Sequence, residues 1–167
     1  GDPLACTGSG AGAGIDISGD DVMISNGSIR GFANSGISMT NSDRVRLINL
    51  NIRENGQLGV DGTLSEGASL RQVNVSANLL GGVRAGTGCR VLDSVISESD
   101  GEALRAGDGC VVSGNSLSRT SETGVVLRLL GDASYLNNNI SGGSGALVTT
   151  GVNAGGNVCN GSVAACP

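Results

Sequence analysis

The chain has 167 residues, thirty of them glycine, and a net charge of −5 from fifteen acids against ten bases, every base being arginine. With Phe32 and Tyr135 as its only aromatic residues and no tryptophan or histidine, it lacks base-stacking and sugar-stacking platforms, histidine general bases and histidine metal ligands. An acidic chain without basic clusters excludes nucleic acid as a partner, and no apolar run approaches the roughly 20 residues that span a bilayer.

Residues 1–12 (GDPLACTGSGAG) carry no alternating pattern and are expected to be a loop that leaves the first strand edge open. From residue 13 a small residue followed by an aliphatic one recurs along the chain. The anchors are Ile15, Ile37, Val60, Val83, Leu104, Val125 and Leu147, separated by 22, 23, 23, 21, 21 and 22 residues. A Gly-, Asn- and Ser-rich period of this length is too short for a pair of packed helices and reads as one turn of a parallel β-solenoid. The expectation is an all-β single domain over 1–167, with about seven coils of roughly 22 residues in 13–150 and a cap loop at 151–167.

Each anchor is followed by a turn and a second apolar set. Ile24, Leu47, Leu70, Val91, Val112 and Tyr135 form one file, and Ile29, Ile52, Val75, Ile96, Leu117 and Ile140 form another. Alternation by two within a coil is the strand signature, and recurrence of residue class one period later stacks like on like. Between these files Gly27, Leu50 and Val73 give way to Ser94, Asn115 and Asn138. Buried amides need partners, so Asn115 and Asn138 are expected to form a structural ladder, with Asn55 and Asn78 a second pair at a bend.

The five cysteines are odd in number, so at least one is unpaired within the chain. Cys159 and Cys166 suit a small disulfide-closed loop. Cys89 and Cys110 occupy one position in successive coils, where a bridge is open to them; a stacked pair of buried thiols is the favoured reading. Cys6 is left over.

The segments GIDISGDDVMISNGSIRGF (14–32), GDGCVVSGNSLSRTSETGVVL (107–127) and GVNAGGNVCNGSVAACP (151–167) resemble secreted bacterial right-handed parallel β-helix repeat proteins of the pectin-lyase-like superfamily. That resemblance implies a single-stranded right-handed parallel β-helix, secretion or display at a bacterial cell surface, and membership of a group that includes polysaccharide lyases and hydrolases. In such enzymes the site lies on the outer face of one parallel sheet, with clustered acids and an arginine or lysine for the substrate carboxylate.

The residues one after each anchor give the matching outward column: Asp16, Ser38, Asp61, Arg84, Arg105, Val126 and Val148. Asp61, Arg84 and Arg105 are the candidates for catalysis, and with Asp16 for binding. Asp16 and Asp61 fall two rungs apart, about 9.6 Å, near the upper separation of a glycosidase carboxylate pair, but nothing distinguishes an acid from a base. Asp20 and Asp21 in one turn and Asp43 in the next, with Asp108 and Asp132 later, are the oxygen-rich positions where calcium would be sought; no other cofactor is expected. Turn aspartates more often bond backbone.

The function expected is therefore a non-catalytic extracellular or cell-surface structural β-helix that stacks end to end with its own copies into a fibre. The alternatives are a polysaccharide-active or carbohydrate-binding β-helix and a segment of a larger adhesin or tail-fibre protein.

Overall fold

A computed structural model describes residues 4–8, 10–119, 125–142, 147–160 and 166–167. Two parallel sheets wind around one axis, and the described residues contain no helix. Among the described residues the first sheet has seven strands: Ile15–Asp16, Ile37–Ser38, Leu58–Glu66, Gly81–Thr87, Leu104–Ala106, Leu127–Leu129 and Val148–Thr149. Seven rungs bound about six turns, one fewer than the coil count expected from seven anchors, because a turn lies between each successive pair.

The second sheet has thirteen strands among the described residues. Met23–Arg30 and Arg46–Arg53 run unbroken, and later coils contribute two shorter strands each, such as Ser69–Arg71 with Asn74–Ser76. Pairing sets Ile24 beside Leu47, Leu70, Val91, Val112 and Tyr135. It sets Ile29 beside Ile52, Val75, Ile96, Leu117 and Ile140. From Leu47 and Ile29 onward these side chains are at most 1% exposed, so each coil closes its apolar face only against its neighbours.

Both ends of the chain differ from the loops expected there. Leu4–Thr7 is a strand, paired in parallel with the second half of Met23–Arg30, and it places Cys6 at the head of the Ile29 file. A four-residue segment with no partner in its own coil leaves no periodicity to read. At the far end Val152–Asn153 and Val158–Cys159 continue the second sheet, while 161–165 lie outside the described residues. The Tyr135 hydroxyl and the Asn153 amide both donate to the carbonyl of Pro167, and burial pushes the Tyr135 hydroxyl pKa up.

Where the second sheet bends, each coil has one residue in the left-handed region: Asn26, Asn49, Gln72, Asp93, Gly114, Asn137 and Gly156, with φ from 50 to 70°. Asparagine, aspartate and glycine tolerate that conformation best. Inside the bend runs an amide ladder. Asn138 donates from its backbone and side chain to Asn157 Oδ1, each at 3.0 Å, and Asn115 does the same to Asn138 Oδ1 at 3.0 Å. The chain of bonds continues through Ser94 N to Asn115 Oδ1 at 2.9 Å and Val73 N to Ser94 Oγ at 3.1 Å. At the next corner Asn55 Nδ2 donates to Asn78 Oδ1 at 3.0 Å, and Phe32 N to Asn55 Oδ1 at 3.1 Å.

Cys89 and Cys110 are joined by a disulfide, with Cα atoms 4.4 Å apart, as are Cys159 and Cys166; Cys6 is free. The bridge between coils replaces the stacked thiols favoured from sequence. Adjacent parallel rungs hold equivalent Cα atoms within disulfide reach, so sulfurs facing the same way in one file meet.

Candidate functional site

The outward column of the first sheet is set by alternation. In the triplets Val83-Arg84-Ala85, Leu104-Arg105-Ala106 and Leu127-Arg128-Leu129 the outer members are all 5% exposed or less, which turns each arginine to the opposite face. Pairing then aligns Val83, Leu104 and Leu127 and, beside them, Arg84, Arg105 and Arg128. The whole column reads Asp16, Ser38, Asp61, Arg84, Arg105, Arg128 and Thr149.

Two positions of the expected column are thereby corrected. Val126 and Val148 are 0% and 3% exposed and belong to the core. The rung after Leu104 is Leu127, 23 residues on, and not Val125. A run of three aliphatic residues, Val125-Val126-Leu127, offered a false anchor two residues early. The signal that identifies Arg128 is the triplet itself, an arginine between two aliphatic or small residues, repeated three times.

Asp61 stands in register with Arg84, but its Oδ1 accepts from Thr63 Oγ1 at 2.8 Å and Thr63 N at 3.3 Å. It thus holds the irregular segment between Gly62 and Glu66, which rises beside the column. A shallow groove of about 240 Å³ lies there, lined by Thr63, Arg84, Thr87, Arg105, Asp108 and Leu130 among others. Asp16 and Asp61 share a separate groove of about 200 Å³ with Ser38, Asn34 and Gln57. The face is therefore divided, with acids over the early coils and arginines over the later ones.

Arg128 Nε donates to Glu102 Oε1. Neither Arg84 nor Arg105 has an ion-pair partner among the described residues. Their backbones lie on neighbouring rungs about 4.8 Å apart, which sets Arg84 and Arg105 side by side. Like charges directly across neighbouring strands are destabilising.

Three of the turn aspartates each bond backbone through one oxygen. Asp20 Oδ1 accepts from Asp43 N, and Asp43 Oδ1 from Glu66 N, each at 2.9 Å; Asp108 Oδ1 accepts from Asp132 N at 2.7 Å. These bonds run to the backbone of the following coil. Both oxygens of Asp21 accept from Arg44, at 2.8 and 2.9 Å, which holds its carboxyl below the usual range. No group of three or more acids or cysteines suited to a metal ion is found among the described residues.

No protein-family model matches the chain, and no curated protein matches its sequence.

Proposed function

We propose that this β-solenoid is a non-catalytic protein of the cell exterior whose arginine row binds an acidic polysaccharide. The observation that carries the reading is the alignment of Arg84, Arg105 and Arg128 on consecutive rungs, two of the three without an ion-pair partner among the described residues. A guanidinium holds a carboxylate through two parallel N–H bonds, and a row with rung spacing suits a chain carrying one carboxylate on each successive sugar. The two disulfides suit an oxidising compartment. Asp61 is engaged with Thr63, and Asp16 lies two rungs from it on the side away from the arginines, which favours binding over glycosidic cleavage.

The test is calorimetric titration with polygalacturonate. Wild-type protein is expected to bind, with affinity that falls as salt rises, and the triple replacement of Arg84, Arg105 and Arg128 by Ala to bind roughly tenfold more weakly or worse without loss of the β-sheet circular dichroism signal. Unchanged affinity in the triple variant removes the reading.

End-to-end stacking is a second reading, favoured by the first coil. Ile15, Val22 and Ile24 are only partly buried, whereas Ile37, Val45 and Leu47 one coil later are 0% exposed. A partly covered apolar edge can pair with a further parallel coil, and on this reading a second molecule supplies it. Sedimentation should then show mass rising with concentration; a constant monomer mass at high concentration argues against it.

A further inference from the structure

The groove of about 200 Å³ over the early coils is built from two sets of residues on three successive rungs. Asp16, Ser38 and Asp61 are the acid end of the outward column, Asn34 and Gln57 stand one coil apart beside it, and Ser35 falls between the two sets. We infer that this groove binds a linear aliphatic diamine or polyamine along the solenoid axis, with one ammonium group at Asp16 and the next at Asp61. The site is separate from the arginine row, because Arg84 and Arg105 line the neighbouring groove and not this one.

The orientation of the amides decides the sign of the ligand. Asn34 Nδ2 donates to Ala11 O at 2.6 Å, and since a carbonyl only accepts, this contact fixes which way the amide points. Asn34 Oδ1 then accepts from Gln57 Nε2 at 3.1 Å, which leaves Gln57 Oε1 as an acceptor without a partner among the described residues. Asp61 uses Oδ1 for Thr63 and keeps Oδ2 free, while Asp16 makes no hydrogen bond among the described residues. Neither acid has an ion-pair partner among those residues. The groove thus gathers free acceptors and two negative charges, and its lining contains no cationic side chain.

An independent observation comes from Ser35. It is only 4% exposed and lines the groove, yet its hydroxyl makes no hydrogen bond among the described residues, whereas buried polar side chains are nearly always paired. An ammonium group, with three donors and no acceptor, supplies the missing partner as well as charge-assisted bonds to the carboxylates. The spacing favours two positive centres over one. Asp16 and Asp61 stand two rungs apart, about 9.6 Å, whereas a single calcium ion draws its oxygen ligands in to about 2.3 to 2.6 Å. Methylenes joining two ammonium groups would pass over Ala13 and Gly12, which give the groove its apolar atoms.

The experiment is calorimetric titration of the intact protein at low salt with putrescine, cadaverine and spermidine, propylamine serving as the probe with a single ammonium group. The diamines are expected to bind roughly tenfold more tightly than propylamine, with affinity that falls as salt rises. Asp16→Asn and Asp61→Asn should each weaken putrescine roughly tenfold, to the level of propylamine. Asp16 is exposed, and an asparagine at 61 keeps the Oδ1 that accepts from Thr63, so both variants should melt with the wild type. Glu98→Gln removes the same charge at an exposed position outside the groove and should leave binding unchanged. No heat with any of the three amines at millimolar concentration overturns the inference, as does propylamine binding as tightly as putrescine. So does a loss in Glu98→Gln equal to that in the aspartate variants, or wild-type affinity in both of those. Failure of polygalacturonate binding overturns only the arginine reading.

Discussion

Replacing Asn138 with Ala should destabilise the protein by about 3 to 5 kcal/mol and lower its melting temperature by roughly 10 °C. Asn138 Oδ1 accepts from both the backbone and the side chain of Asn115, and its Nδ2 donates to Val112 O at 2.9 Å and to Asn157 Oδ1. Alanine leaves the Asn115 N–H buried without a partner, at about 1 to 3 kcal/mol, and removes the side-chain bonds to the Val112 carbonyl and to Asn157, at about 1 kcal/mol each. Asn115 Nδ2 keeps its bond to Val91 O, and Asn157 Oδ1 keeps the bond from the backbone of residue 138. Serine should be milder, because Ser94 in this file already accepts from Val73 N. Thermal melts followed by circular dichroism decide it; equal melting temperatures for wild type and Asn138→Ala would show that the ladder carries no load.

An effect of similar size is expected from Gly86→Ala, by a different route. A Cβ at residue 86 would fall 1.9 Å from Ser65 O and 3.0 Å from Gly62 O. These are backbone atoms of the preceding coil, in the irregular stretch that Ser65 closes by donating from Oγ to Met39 O at 2.6 Å. Relief requires the two coils to separate, at a cost of about 3 kcal/mol or more, again roughly 10 °C in melting temperature. Gly12→Ala is the matched control, since nothing lies within 4 Å of its added carbon, and it should melt with the wild type. Similar melting of Gly86→Ala and Gly12→Ala would mean that the coils do not approach so closely there.

Much of this architecture is written in the chain because a solenoid uses each position repeatedly. The files headed by Ile24 and Ile29 could be read directly, since an interior position one rung on demands the same class of side chain. The reading failed where a local sequence offered two equivalent alignments. At Val125-Val126-Leu127 the small-then-aliphatic rule selected Val125, whereas the pairing follows Leu127, and Arg128 was lost from the outward column. Asn157 was missed for a related reason: its spacing from Asn138 is 19 residues, shorter than any earlier interval, so the tail appeared to have left the repeat.

The bridge between Cys89 and Cys110 required a distance that spacing alone does not supply. Of the sites, Arg84 and Arg105 were visible as outward residues following two anchors.

The claim on which the arginine row rests is that residues 84, 105 and 128 lie on adjacent rungs. Spin labels on Cys replacements of Arg105 and Arg128, in a Cys6→Ser background, measure this by electron paramagnetic resonance. Strong dipolar broadening is expected for the 105/128 pair, whose strands lie roughly 5 Å apart, with weaker broadening for 84/128 and weaker still for 61/128. A 105/128 spectrum that equals the sum of the two singly labelled proteins would contradict the register, and the binding row with it.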